Sequence, residues 1–501
     1  MQEKLNELKM RLAEIADLSH ASAVLSWDQQ TYMPPGGAAA RGQQMSTLRR
    51  IAHEKFTDDA IGKLLEDLSS YADSLPYDSD DASLIRVTKR DYEKSRKVPA
   101  SLVAEIAQAS AQAFQSWQKA KPANQFADFA PFLQKNLDLR KRVADCLGWT
   151  DRIYDPLLDQ FEPEMTTAQV EAMFAGVRKE IVPLGHAIAE KANAVDDKFL
   201  HQKFEDAKQW ALGVEAVKLM GYSFERGRQD RAPHPFTTTF ARDDVRITTR
   251  VLPKFFNAAF FATMHEGGHA LYNLGTPPEF ERTPLAGGAS LGVHESQSRM
   301  WENLIGRSRA FWKFYMPHAK KVFPRQLQGV GAEKMYRAVN RVQPSLIRVE
   351  ADEVTYNLHI MLRFEMENAL LEDRVAVNDL PDAWNAKMRE YLGVTPPNDT
   401  QGVLQDIHWS YGTFGYFPTY ALGNFLAAQL MEKIRADIPD LDARIERGDL
   451  KTLLEWLRAH IHVHGRKFTM NELAHKITGE SLQTRSFVAY LKNKFGEIYG
   501  V

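Results

Sequence analysis

The residues best suited to chemistry are His265, Glu266 and His269, which stand in the sequence HEGGH. On a helix, two histidines four positions apart lie about 40° from each other on one face, so both imidazoles can reach one Zn²⁺ ion. The carboxylate of Glu266 lies beside the pair, where it is suited to take a proton from a water molecule at the metal. The pattern therefore predicts a metal site with an adjacent general base.

The segment that carries this motif, residues 256–275, is apolar on most sides of the predicted helix. Burying polar side chains there without partners would be costly, whereas metal coordination satisfies the imidazoles. Gly267 and Gly268 each cost a helix about 1 kcal/mol relative to Ala, which indicates a close approach of another backbone or of a substrate. The alternative, a chance motif on a solvated surface helix, is disfavoured by these surroundings.

A third protein ligand is needed if the fourth metal position is left for water. The extended pattern HExxHxxGxxH is absent, because Tyr272 and Gly275 occupy the positions of its Gly and third His. The sequence therefore predicts a downstream carboxylate as the third ligand. Glu279 and Glu281 stand close by, in a connection that contains proline.

Two further carboxylates lie on a helix that we expect to begin near Ser290. Glu295 and Glu302 are seven positions apart on the same face, so helical periodicity does not separate them. We favour Glu295 as the ligand, with His294 beside it, and Glu302 as an outer partner that orients a ligand.

Most of the chain has the apolar spacing of amphipathic helices. The clearest segments are Leu5–Leu18, Leu102–Trp117, Val170–Ala194, Met335–Val342, Val354–Leu371, Leu422–Ile434 and Leu450–His460. Residues 234–253 differ, since they are rich in Thr, Phe, Val and Ile and contain the turn sequence ARDD, which predicts a β-hairpin. We therefore expect a mainly α, multi-helical single globule with a small β-sheet, whose edge is able to hold an extended peptide.

The composition limits the class of protein. The 501 residues include 63 Lys and Arg against 65 Asp and Glu, a net charge of −2, which argues against nucleic-acid and membrane-surface partners. The longest nearly apolar run, Phe255–Met264, is too short to span a membrane, and the first residues lack a signal-peptide pattern. Cys146 is the single cysteine, so we expect a cytoplasmic protein in which His and carboxylate groups hold any metal.

Further motifs accompany HEGGH and HESQ along the chain. They are Trp27-Asp28-Gln29 with Tyr32–Gly37, His234-Pro235-Phe236, Asp244-x-Arg246-x-Thr248, Ile347-Arg348-x-x-Ala351-Asp352 and Gly402-x-x-Gln405-Asp406-x-His408-Trp409. Their order and spacing resemble those of the M32 family of metallocarboxypeptidases, the carboxypeptidase Taq type.

This resemblance implies a fold, a site and an activity. His265, His269 and Glu295 would bind one Zn²⁺ per subunit, which Co²⁺ is able to replace, and Glu266 would be the general base. The fold would be a gluzincin-like helical globule, residues 1–501 forming one peptidase domain or two lobes, with a deep active-site groove beside the sheet. The protein would be a homodimer that releases C-terminal amino acids from peptides with broad specificity.

Other motif residues are candidates for binding and catalysis. Arg348 and Arg246 are candidates for binding the peptide, because guanidinium groups bind a C-terminal carboxylate bidentately. His234, in the motif His234-Pro235-Phe236, is a third candidate for binding the peptide. For Arg246, an ion pair with Asp244 is an equal alternative. The remaining candidates would stabilise the oxyanion of the reaction intermediate: His408, which follows Asp406, and Tyr416 or Tyr420.

Two alternatives remain open from the sequence. An oligoendopeptidase would use the same HExxH and Glu site, and a non-enzymatic helical scaffold would bind peptides without metal.

The histidines at alternate positions, His460, His462 and His464, are interpreted as structural, because alternating residues on a helix point about 200° apart and do not converge on one ion.

Overall fold

The computed structural model describes residues 1–501, apart from the side chain of residue 192. The first ten α-helices are α1 (Gln2–Thr31), α2 (Ala38–Phe56), α3 (Asp59–Asp73), α4 (Asp80–Lys97), α5 (Ala100–Ala123), α6 (Phe126–Leu147), α7 (Asp155–Leu158), α8 (Thr167–Ala189), α9 (Asp206–Met220) and α10 (Phe256–Leu274). The other ten are α11 (Leu291–Arg299), α12 (Arg309–Val322), α13 (Ala332–Val339), α14 (Tyr356–Leu371), α15 (Leu380–Leu392), α16 (Pro418–Asp437), α17 (Leu441–Glu446), α18 (Lys451–His460), α19 (Met470–Thr478) and α20 (Arg485–Tyr499). The mainly helical fold predicted from the sequence is confirmed.

A three-stranded sheet precedes α10. Its strands are β1 (Gln229–Arg231), β2 (Thr237–Ala241) and β3 (Asp244–Thr249), in the spatial order β1-β3-β2. Strands β2 and β3 form the predicted antiparallel hairpin, in which Thr237 lies opposite Ile247. Strand β1 pairs with β3 in parallel and was not predicted, because three residues of the sequence QDR carry no apolar alternation.

The chain divides into two compact units, each built from three segments. The first unit comprises Met1–Arg96, Asp197–Val339 and Leu430–Ser481. The second unit comprises Lys97–Asp196, Asn340–Gln429 and Leu482–Val501. The sheet, α10 and α11 belong to the first unit, and α14 belongs to the second.

Local sequence explains where these helices lie. In α1, Leu5, Leu8 and Leu12 recur every three or four residues, and all three are buried in an apolar cluster with side chains of α3 and α4. At the start of α8, Thr166 forms a reciprocal capping box with Gln169, which satisfies two backbone donors. Among the described residues, no helix combines the length and the apolar character needed to cross a lipid bilayer.

Candidate metal centre

Helix α10 presents its two histidines and a glutamate to one place in the first unit. The helix begins at Phe256, and its apolar side chains are buried, so its position is set by the core. His265 and His269 are half-buried on one face, as their four-residue spacing requires. Glu266 is 6% exposed, and its Oε2 atom accepts a hydrogen bond of 2.6 Å from Thr237 Oγ1.

Helix α11 brings a third ligand group to the two histidines. Ser290 caps this helix by accepting a hydrogen bond from the backbone N–H of Val293, as expected for a helix that begins there. Glu295 Oε2 lies 3.7 Å from His265 Nε2 and 3.4 Å from His269 Nε2. The three ligand atoms all lie within 4.8 Å of one another, and no other group of this kind occurs among the described residues.

The back of each imidazole is held by a different partner. His265 Nδ1 lies 2.9 Å from Glu302 Oε2, which is the outer contact that the sequence predicts for Glu302. His269 Nδ1 lies 2.5 Å from Nδ1 of His294, and His294 Nε2 lies 3.0 Å from the amide oxygen of Asn273. That oxygen only accepts, so His294 Nε2 carries a proton.

The same chain of contacts fixes the proton positions on both histidines. Burial, reinforced by the nearby imidazole of His269, holds the pKa of His294 well below its usual range, so the ring is neutral and its Nδ1 is an acceptor. The Nδ1 of His269 must therefore donate to it. In the neutral ring, which a metal ligand must be, the lone pair then lies on Nε2, the atom towards Glu295.

The electric field of the site favours a cation. Burial alone would lower the pKa of His265, but the carboxylates of Glu295 and Glu302 outweigh it and raise the pKa. Burial would raise the pKa of Glu302, yet the charges of Arg299 and His265 lower it to about 2. The imidazoles of His265 and His269 and the ionised carboxylate of Glu295 are a donor set that fits a divalent metal such as zinc.

The glycines of the motif let the neighbouring helices come close. A Cβ atom on Gly268 would lie 2.7 Å from Cα of Ser298 and 2.8 Å from the carbonyl oxygen of Gln297, both in α11. A Cβ atom on Gly267 would lie 2.8 Å from a methyl group of Val217 in α9. The close backbone approach expected from these glycines is therefore present, and it carries Glu295 to the histidines.

A second cluster of polar groups, built on Asp406, lies in the second unit. Asp406 Oδ1 accepts hydrogen bonds from Nε and Nη2 of Arg348 at 3.1 and 2.8 Å, and its Oδ2 accepts one from Nε of Arg363 at 2.6 Å. Arg348 is 6% exposed and also donates to the hydroxyl of Tyr356. Burial would raise the pKa of Asp406, but the two guanidinium groups hold it far below its usual range. Two cations thus face one anion, which leaves an excess of positive charge.

His408 lies next to this cluster and is neutral. Burial, with the charge of Arg348, lowers the pKa of His408 to about 3. Its Nδ1 atom lies 3.9 Å from Asp406 Oδ1, too far for a hydrogen bond, and has no hydrogen-bond partner among the described residues. Its Nε2 atom lies 3.4 Å from the hydroxyl of Tyr420, and the ring of Tyr416 packs at 5.4 Å.

Comparisons with known proteins agree with this geometry. The sequence model described as "Carboxypeptidase Taq (M32) metallopeptidase" matches residues 7–495. The chain belongs to the M32 family. The thermostable carboxypeptidase 1 of Thermus thermophilus is 42% identical over 97% of each chain. Among solved structures, the M32 carboxypeptidase of Deinococcus radiodurans R1 is 42% identical, with a TM-score of 0.96 over 100% of each chain. Metallocarboxypeptidase 1 of Trypanosoma cruzi is 33% identical, with a TM-score of 0.94 over 99% of this chain and 100% of that chain.

As an M32 member, the chain is a metallocarboxypeptidase, a peptide hydrolase. Of its other predicted site residues, Arg246 forms a bidentate ion pair with Asp244, with both hydrogen bonds at 2.8 Å. This was one of the two roles that the sequence left open for it. His234 lies exposed in the bend before β2.

The remaining carboxylate and histidine candidates lie outside the group of three. Glu279 and Glu281 are exposed, and Glu281 accepts a hydrogen bond from the backbone of Arg242. His462 is buried, and its Nε2 atom lies 3.1 Å from the side-chain oxygen of Gln297. His462 thus makes a contact inside the first unit, with a side chain of α11.

Sequence reasoning missed several residues of this M32 carboxypeptidase. Thr237 bonds to Glu266, Asn273 supports His294, and Arg363 shares Asp406 with Arg348. None of the three belongs to a recognised chemical motif. Only Asn273 carried a signal, since it lies four residues after His269 and therefore one turn along the same helix face.

Proposed function

We propose that this M32 member is a zinc-dependent carboxypeptidase that releases single amino acids from the C-terminus of peptides with broad specificity. The observation that carries the proposal is the grouping of His265, His269 and Glu295 within 4.8 Å, beside the buried carboxylate of Glu266. Zinc suits this donor set, since it prefers His nitrogen and carboxylate oxygen in tetrahedral sites. When bound there, the metal supplies a Lewis acid and lowers the pKa of water towards about 7.

In this proposal Glu266 moves the proton. Its carboxylate takes a proton from the water that attacks the scissile carbonyl carbon, and returns it to the nitrogen of the leaving amino acid. Glu302 and His294 keep the imidazoles of His265 and His269 in orientation, because each bonds the nitrogen that faces away from the site.

Three side chains are proposed to bind the peptide substrate. Arg348 provides positive charge for the C-terminal carboxylate of the peptide, supported by the excess of cations around Asp406. Arg246 and His234 are also proposed to bind the peptide. The neutral His408, with Tyr416 or Tyr420, is proposed to donate to the developing oxyanion.

The first test is Glu266→Gln, which keeps the shape of the side chain and removes its basicity. We expect this variant to bind one metal ion per chain and to lose hydrolysis of an N-blocked peptide by about 10²- to 10⁴-fold. Glu279→Gln, an exposed glutamate outside the metal group, is the matched control and should hydrolyse at the wild-type rate. Wild-type turnover by Glu266→Gln would overturn the proposed mechanism.

A second measurement separates a carboxypeptidase from an oligoendopeptidase. The wild-type protein is given one peptide with a free C-terminus and the same peptide as its C-terminal amide, and products are read by mass spectrometry. We expect stepwise loss of single C-terminal residues from the free acid and strong resistance of the amide, because the amide lacks the carboxylate that Arg348 would bind. Internal cuts at equal rates in both peptides would instead establish the endopeptidase.

A further inference from the structure

Thr237, the first residue of β2, touches the proposed general base. Its Oγ1 atom lies 2.6 Å from Oε2 of Glu266 and 3.0 Å from the backbone oxygen of the same residue. A hydroxyl has one proton to donate, and the shorter contact to a carboxylate is the stronger, charge-assisted bond. Glu266 is 6% exposed, so water competes little for this contact.

The hydroxyl of Thr237 is held in place before any substrate binds. Thr237 pairs with Ile247 across the hairpin. The preceding residue, Phe236, donates its N–H to Thr248 Oγ1 and accepts the N–H of Thr248, both at 2.9 Å. The backbone at Thr237 is therefore fixed by its own strand pairing, independently of α10.

The two oxygens of the Glu266 carboxylate are consequently unequal. Oε2 receives the Thr237 hydroxyl, whereas Oε1 accepts no hydrogen bond from the described residues. An oxygen that must take and return a proton works best when its lone pairs point at the reacting atoms rather than at a fixed donor.

We propose that Thr237 is a positioning residue for catalysis: it fixes the Glu266 carboxylate through Oε2 and leaves Oε1 to carry the proton. The inference rests on the proposed function, in which Glu266 is the general base. Oε1 takes a proton from the attacking water as the water oxygen bonds to the carbonyl carbon. The same proton passes to the leaving nitrogen as the C–N bond breaks, so the carboxylate is regenerated.

Steady-state kinetics of Thr237→Val, Thr237→Ser and Thr238→Val test this proposal. Thr237→Val keeps the β-branched shape but removes the hydroxyl, so we expect kcat to fall roughly 10- to 100-fold, the worth of a hydrogen bond to a charged group. We expect KM to change less than about twofold and the metal content per chain to stay the same, because peptide and metal contacts remain. Thr237→Ser retains the hydroxyl and should restore kcat to within about threefold of wild type.

Thr238→Val is the matched control, since it removes a neighbouring hydroxyl of the same strand that makes no side-chain hydrogen bond among the described residues, and should leave kcat unchanged. If Thr237→Val does not fold, Thr237→Ala removes the same hydroxyl with a smaller side chain and carries the same expectation. Wild-type kcat in the hydroxyl-free variant would overturn the inference, as would equal impairment of Thr237→Ser. Glu266→Gln is assayed in parallel to separate the role of Thr237 from the proposed function. An inactive Glu266→Gln beside a fully active Thr237→Val would contradict only the role of Thr237. A fully active Glu266→Gln would contradict the proposed function.

Discussion

The imidazoles of His265 and His269 are supported from behind by groups of different charge. His265 faces the ionised carboxylate of Glu302, whereas His269 faces the neutral ring of His294. A carboxylate strengthens the electron donation of the imidazole that it bonds, while a neutral ring mainly fixes its orientation. His265 is therefore expected to be the stronger of the two nitrogen donors.

Glu302→Gln tests the contribution of that charge. The amide oxygen still accepts the hydrogen bond from His265 Nδ1, but the negative charge is lost, so we expect the Kd for Zn²⁺ to rise by about 10-fold or more. Competition with a chelator of known affinity measures this Kd. Glu281→Gln removes an exposed carboxylate outside the metal group and should leave it unchanged. An unaltered Kd in Glu302→Gln would show that its charge does not tune the site.

The sequence predicted the three ligand candidates and the outer contact of Glu302, but not the contacts that His294 and Thr237 make. Helix geometry puts His265 and His269 on one face because they are four residues apart. Helical periodicity did not separate Glu295 from Glu302, and the family resemblance implied Glu295. The partnership of His294 with His269 depends on how α11 crosses α10, and the bond from Thr237 depends on where β2 lies against α10. Such contacts join distant parts of the chain, and no local pattern in one sequence encodes them.

At the scale of elements, the close approach of α10 and α11 positions the metal group. A Cβ atom on Gly268 would lie within 2.8 Å of two backbone atoms of α11, so any side chain there must push the helices apart. Helix α11 continues directly into a π-helical turn, Met300–Ile305, which includes Glu302. π-helical turns are frequent at functional sites, but helical periodicity alone did not predict this one.

Gly268→Ala is the direct test of this packing. We expect the free energy of unfolding to fall by about 1–3 kcal/mol, because backbone must move to admit the methyl group. Gly42→Ala is the control: a Cβ atom at Gly42 in α2 meets nothing within 4 Å, so the change should stabilise the helix by about 0.5–1 kcal/mol. Denaturant unfolding of both variants measures the difference, and equal stability would contradict the packing argument.

A buried glutamate of α14 accepts hydrogen bonds from the loop that carries His408 and Tyr416. Glu367 is fully buried and accepts hydrogen bonds from Trp409 Nε1 at 2.8 Å, Tyr154 Oη at 2.7 Å and the N–H of Gly415 at 3.0 Å. Burial outweighs these donors and raises the pKa of Glu367 from its ordinary 4.5 to about 7.

This raised pKa predicts a pH dependence of stability. Between pH 4.5 and 7 the folded protein holds a proton on Glu367 that the unfolded chain releases, so this contribution is complete below pH 4.5 and is lost as the pH rises through 7. The loss amounts to roughly 3 kcal/mol. Glu367→Gln does not titrate, so denaturant unfolding at pH 5 and pH 8 should show a smaller fall in stability for the variant. An identical fall in both proteins would contradict the assignment.

At the scale of the whole molecule, the helical class was predictable from the sequence, whereas the bounds of the two units were not. The helices follow from apolar spacing such as that of Leu5, Leu8 and Leu12. Each unit, however, is assembled from three separate segments, so no linker marks a boundary along the sequence. The homodimer implied by the family resemblance stays a prediction, because dimer contacts leave no periodic signature in a single chain.

The central claim, that His265, His269 and Glu295 hold one catalytic metal ion, is tested most directly by titrating Zn²⁺ into the chelated protein. Release of the C-terminal residue from an N-blocked peptide is measured after each addition, alongside bound metal. We expect no release without metal, a linear rise, and a sharp break at about one equivalent per chain, since the described residues include one such group of ligands. Full activity of the metal-free protein, or the same titration curve from Glu295→Ala, would contradict the account.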